Sequence, residues 1–237
     1  MFRLSILSGI TLLILGMATA AAFDGCDTAL RPQDQIAACS RYISSVSERD
    51  RTALSQVHYL RGAAYYKLKR YEKAIADLSM AMKFDPKNAI ASDARGVVYR
   101  KLGQPDKAIA DHSRAIEIDH QFAKAFRNRA NAYFYKGEVR RAISDYDKAI
   151  ELRPDYPNAY NNRGAAFEQI GQYDKAISDF TRLIKLMPVN ADAYANRGYT
   201  YHLKGNRSAA LADYRRALEI DPGHVQAFEN LKSLQAE

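Results

Sequence analysis

A short motif recurs along this chain at a fixed interval of thirty-four residues. Alanine, an aliphatic residue, a small residue and aspartate follow one another at 74–77, 108–111, 142–145, 176–179 and 210–213. A fixed period of this length is typical of a stack of identical supersecondary units, in which each unit contacts only its neighbours. We therefore expect one elongated domain, an architecture that usually serves as a binding surface.

Each repeat of the motif reads as two helices. In the first half, bulky residues seven positions apart share one helix face, in the pairs His58/Tyr65, Phe126/Tyr133, Tyr160/Phe167 and Tyr194/Tyr201. Glycine favours the left-handed conformation that ends a helix, and it stands at 103, 137, 171 and 205, with Lys69 in its place in the first repeat. Proline prevents continuation of the second helix at 86, 154, 188 and 222. The five repeats therefore run 55–88, 89–122, 123–156, 157–190 and 191–224.

These in-phase glycine, tyrosine, alanine and proline positions resemble tetratricopeptide repeats across residues 55–224. The departures are the absence of tryptophan and the residues Ser92 and His120 at two signature positions. The resemblance implies an all-α fold, a right-handed α-solenoid or superhelix of antiparallel helix pairs.

Two further departures from the family occur in every repeat. Arginine replaces the common leucine of the first helix at Arg61, Arg95, Arg129, Arg163 and Arg197. Aspartate replaces the common aromatic of the second helix at Asp77, Asp111, Asp145, Asp179 and Asp213. Exchange of an apolar pair for opposite charges predicts a ladder of structural ion pairs, since arginine suits bidentate carboxylate contact. The alternative is a row of arginines that faces a ligand.

The segments outside the repeats are of three kinds. Residues 1–22 combine Arg3, an apolar run and a stretch of small residues, which predicts a secretory signal peptide cleaved after Ala22 or Ala20. A retained membrane anchor is the alternative. Residues 23–54 are interpreted as a degenerate half repeat, with a second helix over 32–46 and five extra residues in the loop near 47–50. Residues 225–237 are interpreted as a capping helix with Phe228 at the stacking position.

The only two cysteines are Cys26 and Cys39. An exported protein meets an oxidising compartment, so a disulfide between them is expected. Attachment of a lipid to Cys26 is the alternative, although Phe23 and Asp24 do not suit a lipidation signal.

The chain is basic, with a formal net charge of +8 that falls by one when Arg3 is removed with the signal peptide. Lysine and arginine are spread among acidic residues in every repeat, which indicates a solvated surface. We therefore expect no nucleic-acid partner, and no membrane span after signal cleavage.

By resemblance, first-helix side chains that do not pack line a concave groove for a partner peptide. The predicted partner-groove residues are Tyr59, Tyr66, Arg100, Lys124, Arg127, Asn131, Phe134, Asn158, Asn161, Asn162, Tyr199 and His202. Some family members clamp a C-terminal carboxylate, and Arg127, Asn131 and Asn162 match three of those clamp positions. Asp192 and Asn196 stand where lysine and arginine would complete the clamp, which favours an ordinary solvated face.

The sequence contains no pattern typical of an enzyme. The five histidines show no metal-ligand spacing, and there is no glycine-rich phosphate loop or nucleophile elbow. We expect no catalytic residues, no metal and no cofactor. The leading hypothesis is an exported, periplasmic or secreted scaffold that binds a protein or peptide, in envelope assembly or quality control. The alternatives are a structural subunit that uses its convex face, and a carbohydrate or peptidoglycan binder.

Overall fold

The computed structural model describes Cys26 and residues 31–236. The predicted signal peptide at 1–22 lies outside the described residues. Within the described part the chain is all-helical, with twelve α-helices and no strand, which confirms the all-α prediction. None of these helices is both long and apolar enough to cross a membrane.

The helices belong to two compact units, Met1–Gln104 and Pro105–Glu237. The first unit contains α1 (Pro32–Ser45), α2 (Arg51–Lys67), α3 (Tyr71–Phe84) and α4 (Ala89–Lys101). The second contains α5 (Pro105–Ile118), α6 (Ala123–Tyr135), α7 (Val139–Leu152), α8 (Pro157–Gln169), α9 (Tyr173–Leu186), α10 (Ala191–Leu203), α11 (Arg207–Ile220) and α12 (Val225–Ala236). Within each unit every helix packs against the next one along the chain. In the second unit α6, α8, α10 and α12 are first helices of repeats, and α5, α7, α9 and α11 are second helices.

Short polar side chains start several helices. The side chains of Asp50, Asn88, Asn190 and Asn206 each accept a hydrogen bond from the backbone N–H three residues later, at 2.8–3.2 Å. These bonds satisfy donors that have no partner inside the helix. The start of each of these helices is therefore encoded locally.

Left-handed residues end the first helices. The glycines at 103, 137, 171 and 205 have φ between 68° and 83°, and Lys69 takes the equivalent conformation at 58°. The N–H of Arg70 then bonds the Tyr65 carbonyl at 2.9 Å, which closes the helix end. The turn of the first repeat thus keeps the geometry of the others at the cost of a strained lysine.

Large side chains of the second helices fill the space beside the small residue of each first helix. A Cβ atom on Gly62 would lie 2.9 Å from Leu78, one on Gly164 would lie 2.9 Å from Phe180, and one on Gly198 would lie 3.0 Å from Tyr214. The residues at this position are at most 1% exposed in all five repeats, namely Leu78, His112, Tyr146, Phe180 and Tyr214. The sequence analysis singled out the aspartates beside them and missed these core residues.

The structure places the five extra residues before the first repeat differently from the sequence interpretation. Four residues separate α3 from α4, whereas five, 46–50, separate α1 from α2. Helix α2 also begins at Arg51, four residues before the start of the 55–88 repeat. One extra residue therefore lies in the loop and the other four add a turn to α2, where Asp50 can cap it.

A disulfide joins Cys26 to Cys39 of α1. Both cysteines are buried, at 2% and 0% exposure, and they pack against Tyr42, Ala53 and Val57. The disulfide thus belongs to the small apolar core between α1 and α2.

Helix α12 differs from the sequence interpretation in one side chain. Ala227 and Leu234 are buried against α11, but Phe228 is 53% exposed. No second helix follows α12 among the described residues, and Phe228 stays exposed there.

Candidate functional site

The structure brings together four of the five predicted arginine–aspartate pairs. In each pair Nε and Nη2 of arginine donate to the two oxygens of one carboxylate, at 2.6–2.8 Å. The pairs are Arg61–Asp77, Arg129–Asp145, Arg163–Asp179 and Arg197–Asp213. The fifth pair, Arg95 with Asp111, combines residues of different units and stays a prediction.

The third nitrogen of each arginine contacts the preceding second helix. Nη1 donates to a side chain sixteen residues earlier, at 2.6–3.1 Å, namely Ser79, Ser113, Asp147 and Thr181 for Arg95, Arg129, Arg163 and Arg197. Arg61 reaches Ser40 at 2.9 Å over twenty-one residues, because five extra residues intervene. The sequence analysis missed these contacts, although a hydroxyl or carboxyl residue stands two positions after each of the first four ladder aspartates.

Aromatic rings enclose three of the guanidinium groups. Arg129 lies 5.7 Å from the Phe126 ring centroid and 5.9 Å from that of Tyr133. Arg163 and Arg197 lie at 5.7–5.9 Å from the equivalent pairs Tyr160/Phe167 and Tyr194/Tyr201. These distances permit cation–π attraction. All three nitrogens of each guanidinium are engaged within the protein, which favours a framework over a row of arginines that faces a ligand.

The carboxylates of this framework do not share one electrostatic environment. Burial opposes ionisation of Asp77, but hydrogen bonds from Arg61 and His58 outweigh it and lower the pKa of Asp77. Burial raises the pKa of Asp179 despite its bonds to Arg163, and the nearby Asp147 carboxylate raises it further. Arg163 of the fourth repeat therefore contacts two carboxylates, that of Asp179 in its own repeat and that of Asp147 in the third.

Three of the predicted groove asparagines form, together with Asn196, a connected chain of side chains across three first helices. Asn131 Oδ1 accepts bonds from Tyr146 Oη at 2.6 Å and from Asn162 Nδ2 at 2.8 Å. Asn161 Nδ2 makes a longer contact of 3.5 Å to Asn162 Oδ1, and Asn161 Oδ1 accepts from Asn196 Nδ2 at 3.1 Å. We call Asn131, Asn162, Asn161 and Asn196 the amide chain; it links α6, α8 and α10.

The third residue that matched the carboxylate clamp, Arg127, is engaged elsewhere. Its Nη2 donates to Asn128 at 2.8 Å, and its guanidinium lies 5.3 Å from the Tyr156 ring centroid. The structure therefore joins Asn131 and Asn162 directly and directs Arg127 toward residues of its own repeat.

The predicted groove aromatics differ in their exposure. Tyr59 and Tyr66 pack against the core around Leu78, and Phe134 packs against the core around Tyr146. Tyr199 is 41% exposed. Among the other predicted groove residues, Lys124 and Asn158 are exposed, whereas Arg100 and His202 are half-buried.

Helices α10 and α12 flank an open pocket of about 400 Å³, which we call the α10–α12 pocket. Its lining residues are Asp192, Ala195, Asn196, Tyr199, His224, Gln226 and Asn230. Asn196, the last member of the amide chain, is thus also part of this pocket. The sequence analysis included Tyr199 but missed the contribution of α12, which depends on how the last helix packs.

A partly buried carboxylate lies on α8, between the other first helices. The hydroxyl of Thr200 donates to Glu168 at 2.7 Å, and burial raises the pKa of Glu168. Over Cys26 and residues 31–236, no cluster of three or more His, Cys, Asp or Glu side chains is placed to hold a metal ion.

Comparison with solved structures finds proteins of the same fold. The chain is 28% identical to MamA, over 70% of this chain and 96% of that one, with a TM-score of 0.64. It is 25% identical to the first TPR domain of Spaghetti (RPAP3), solved with the HSP90 peptide SRMEEVD, over 51% of this chain and 95% of that one, with a TM-score of 0.50. YrrB, described as a TPR protein with an unusual peptide-binding site, is 24% identical over 82% of this chain and 97% of its own, with a TM-score of 0.66.

Comparison with curated protein sequences gave no match. Family profiles do match the chain: "TPR repeat" at residues 96–137 and 130–171, and "Tetratricopeptide repeat" at 55–88, 157–190 and 191–224. The last three ranges coincide with repeats defined from the sequence period, and all the matches together cover more than half of the 237 residues. The chain belongs to the tetratricopeptide repeat family, whose fold provides scaffolds for protein–protein interaction.

Proposed function

We propose that this chain is an exported scaffold that binds an extended segment of a partner protein along α6, α8 and α10. The observation that carries the proposal is the amide chain, which presents asparagines from three successive first helices. An extended peptide offers backbone N–H and C=O groups in alternation, and amide side chains can both donate and accept.

The amide chain keeps hydrogen-bonding capacity for such a peptide. Both lone pairs of Asn131 Oδ1 are used within the protein, whereas its Nδ2 donors have no partner among the described residues. Asn196 donates to Asn161 through Nδ2, and its Oδ1 accepts no hydrogen bond from the described residues. The two ends of the chain therefore offer donors at α6 and an acceptor at α10.

The arginine–aspartate framework supports this function indirectly. Each arginine bonds its own repeat and the preceding one, so it fixes the relative placement of neighbouring helix pairs within the second unit. A rigid face lowers the entropic cost of binding a flexible segment. The complex of the Spaghetti TPR domain with a peptide supports peptide capture by this kind of fold.

Export to the periplasm or beyond is supported by the apolar segment that follows Arg3 and by the Cys26–Cys39 disulfide. An envelope role in assembly or quality control is consistent with such a location. Fractionation of cells and mass spectrometry of the mature N-terminus test this part. Retention of Met1 on a cytoplasmic protein would contradict it.

Paired capture experiments test the binding face. The triple variant Asn131→Ala, Asn162→Ala, Asn196→Ala is compared with Ser144→Ala, Ser178→Ala on exposed positions of the second helices α7 and α9. Partners captured from envelope extract by the wild type are identified by mass spectrometry and their affinity is measured with purified protein. We expect the triple variant to weaken binding at least about tenfold, since each polar contact contributes about 1 kcal/mol, and the serine variant to bind normally. Normal binding by the triple variant and weak binding by the serine variant would assign binding to the convex face and refute the proposal.

Carbohydrate recognition, the other alternative, depends on exposed aromatic rings. Tyr66 and Phe134 pack against core residues, which leaves Tyr199 as the exposed aromatic among the predicted groove residues. A single ring gives a small platform for a sugar, so the geometry favours a peptide.

A further inference from the structure

The α10–α12 pocket carries one carboxylate and is otherwise lined by neutral groups. Asp192 contributes the carboxylate, three amides come from Asn196, Gln226 and Asn230, and Tyr199 contributes a ring. No lysine or arginine is among its lining residues in the described part of the chain. In a protein with a net charge of +8, this is a site of locally negative character.

The negative charge of Asp192 is not neutralised by its protein neighbour. His224 Nδ1 accepts a hydrogen bond from the backbone N–H of Ala227 at 3.1 Å, so this nitrogen carries no proton. Nε2 then carries the single proton of a neutral imidazole and donates it to Asp192 Oδ1 at 3.1 Å. His224 therefore orients the carboxylate without cancelling its charge, and leaves Oδ2 available.

Exposure and spacing show how a ligand could use this charge. The Asp192 side chain is 81% exposed, while that of His224 is 12% exposed and holds it in place. Tyr199 lies seven residues further along α10, about 10 Å along the helix axis, with the small residue Ala195 between them. A ligand with an apolar stem and a cationic tip matches this order: the stem lies over Tyr199 and Ala195, and the tip reaches Asp192.

We propose that the α10–α12 pocket binds the side chain of a lysine or arginine in the partner segment. The ammonium or guanidinium group contacts Asp192 Oδ2, and the amide oxygens of Asn196 and Asn230 accept its remaining N–H bonds. The proposal deepens the proposed function and rests on it, because the amide chain delivers a bound segment to Asn196 at the edge of this pocket.

A titration with single residues tests the pocket without any partner. The ¹H–¹⁵N spectrum of the protein is followed during addition of Nα-acetyl-lysine methylamide, and in a parallel titration of the uncharged norleucine analogue. We expect shifts at Asn196, Tyr199, Gln226 and Asn230 with the lysine probe, weaker shifts with norleucine, and a decrease of the lysine effect in high salt. Equal responses to the two probes, or none, would refute a cation site.

Asp192→Asn is the decisive variant. Asp192 is exposed, so its substitution should leave the protein folded, and weaker lysine binding would then report on the pocket itself. The variant should weaken binding of the lysine probe about threefold to fivefold, the range of an exposed ion pair. Asp174→Asn is the matched control, since the Asp174 side chain is also 81% exposed but pairs with Lys204 away from the pocket lining. Loss of lysine binding in both variants would point to long-range charge and overturn the assignment.

Capture experiments with Asp192→Asn and with the amide-chain triple variant separate this inference from the proposed function. If captured partners bind Asp192→Asn as tightly as wild type, the pocket does not hold a partner side chain, although the amide chain can still bind the segment. If lysine binds the pocket but the amide-chain variant captures partners normally, the peptide face is refuted and the pocket serves free cationic ligands.

Discussion

Replacement of the ladder aspartates by asparagine should cost different amounts of stability in the third and fourth repeats. Arg129 has one carboxylate, Asp145, and a neutral third contact to Ser113. Arg163 has Asp179 and also Asp147, at 2.6 Å. Asp145→Asn therefore leaves its arginine without a hydrogen-bonded carboxylate, whereas Asp179→Asn does not.

The expected magnitudes follow from burial. Removing one partner of a fully buried ion pair costs about 3–5 kcal/mol, but the Arg129 side chain is 20% exposed and an asparagine oxygen still accepts one bond. We expect Asp145→Asn to lower the free energy of unfolding by about 2–3 kcal/mol. Asp179→Asn should cost about 1 kcal/mol, because Asp147 still pairs with Arg163. The variant also removes the cost of burying the Asp179 charge and its repulsion by Asp147, which together raise the pKa of Asp179.

Urea unfolding monitored by circular dichroism measures both values. The variants lie in adjacent repeats of one unit, so nearest-neighbour coupling affects them similarly. Asp147→Ser gives Arg163 the contacts that Arg129 has, one carboxylate and one serine. Addition of Asp179→Asn to that background should then cost about 2–3 kcal/mol, as Asp145→Asn does in the third repeat. Equal losses for the two single variants would show that the second carboxylate contributes nothing. Losses below about 0.5 kcal/mol for both would show that apolar packing alone holds the repeats.

Other features give further expectations. Lys69→Gly should stabilise the chain by about 1 kcal/mol, because Lys69 has a φ of 58°, and Gly103→Lys should destabilise it in thermal melts; unchanged melting in both would refute the strain. Reduction of the Cys26–Cys39 disulfide, which spans thirteen residues, should destabilise the first unit by about 3 kcal/mol; proteolysis of α1 that does not respond to reductant would contradict this. Because the pKa of Asp77 is lowered from 3.8 in the folded chain, its stabilisation is present above about pH 4 and is lost as pH falls below it. Asp77→Asn should therefore flatten the acid limb of the stability curve, and a limb of unchanged slope would exclude this cause.

Much of the fold was predictable because the same local sequence features recur in successive repeats. The left-handed helix ends and the small residue at each close approach recur in phase, and these features depend on residues within one helix pair. The bidentate pairing of Arg129 with Asp145 was predictable for the same reason, since both positions depart from the family pattern together.

The five extra residues before the first repeat were harder to place. A count of residues shows how many are added, but either a longer loop or a longer helix accommodates them. The structure shows the longer helix, because Asp50 caps α2 one turn before the repeat begins. Whether the helix or the loop is longer depends on capping and on packing against α1. The sequence period carries no information about either.

The sequence by itself determined the period, the helix pairs, the family and the arginine–aspartate partners of the four pairs that the structure brings together. Only the tertiary structure decided the third contact of each arginine, the amide chain and the α10–α12 pocket. The physical reason is that a period identifies equivalent positions along the chain, whereas these features depend on side chains that meet across different repeats. Asn162 can hydrogen-bond a peptide, water or Asn131, and the approach of α6 to α8 brings it within 2.8 Å of Asn131.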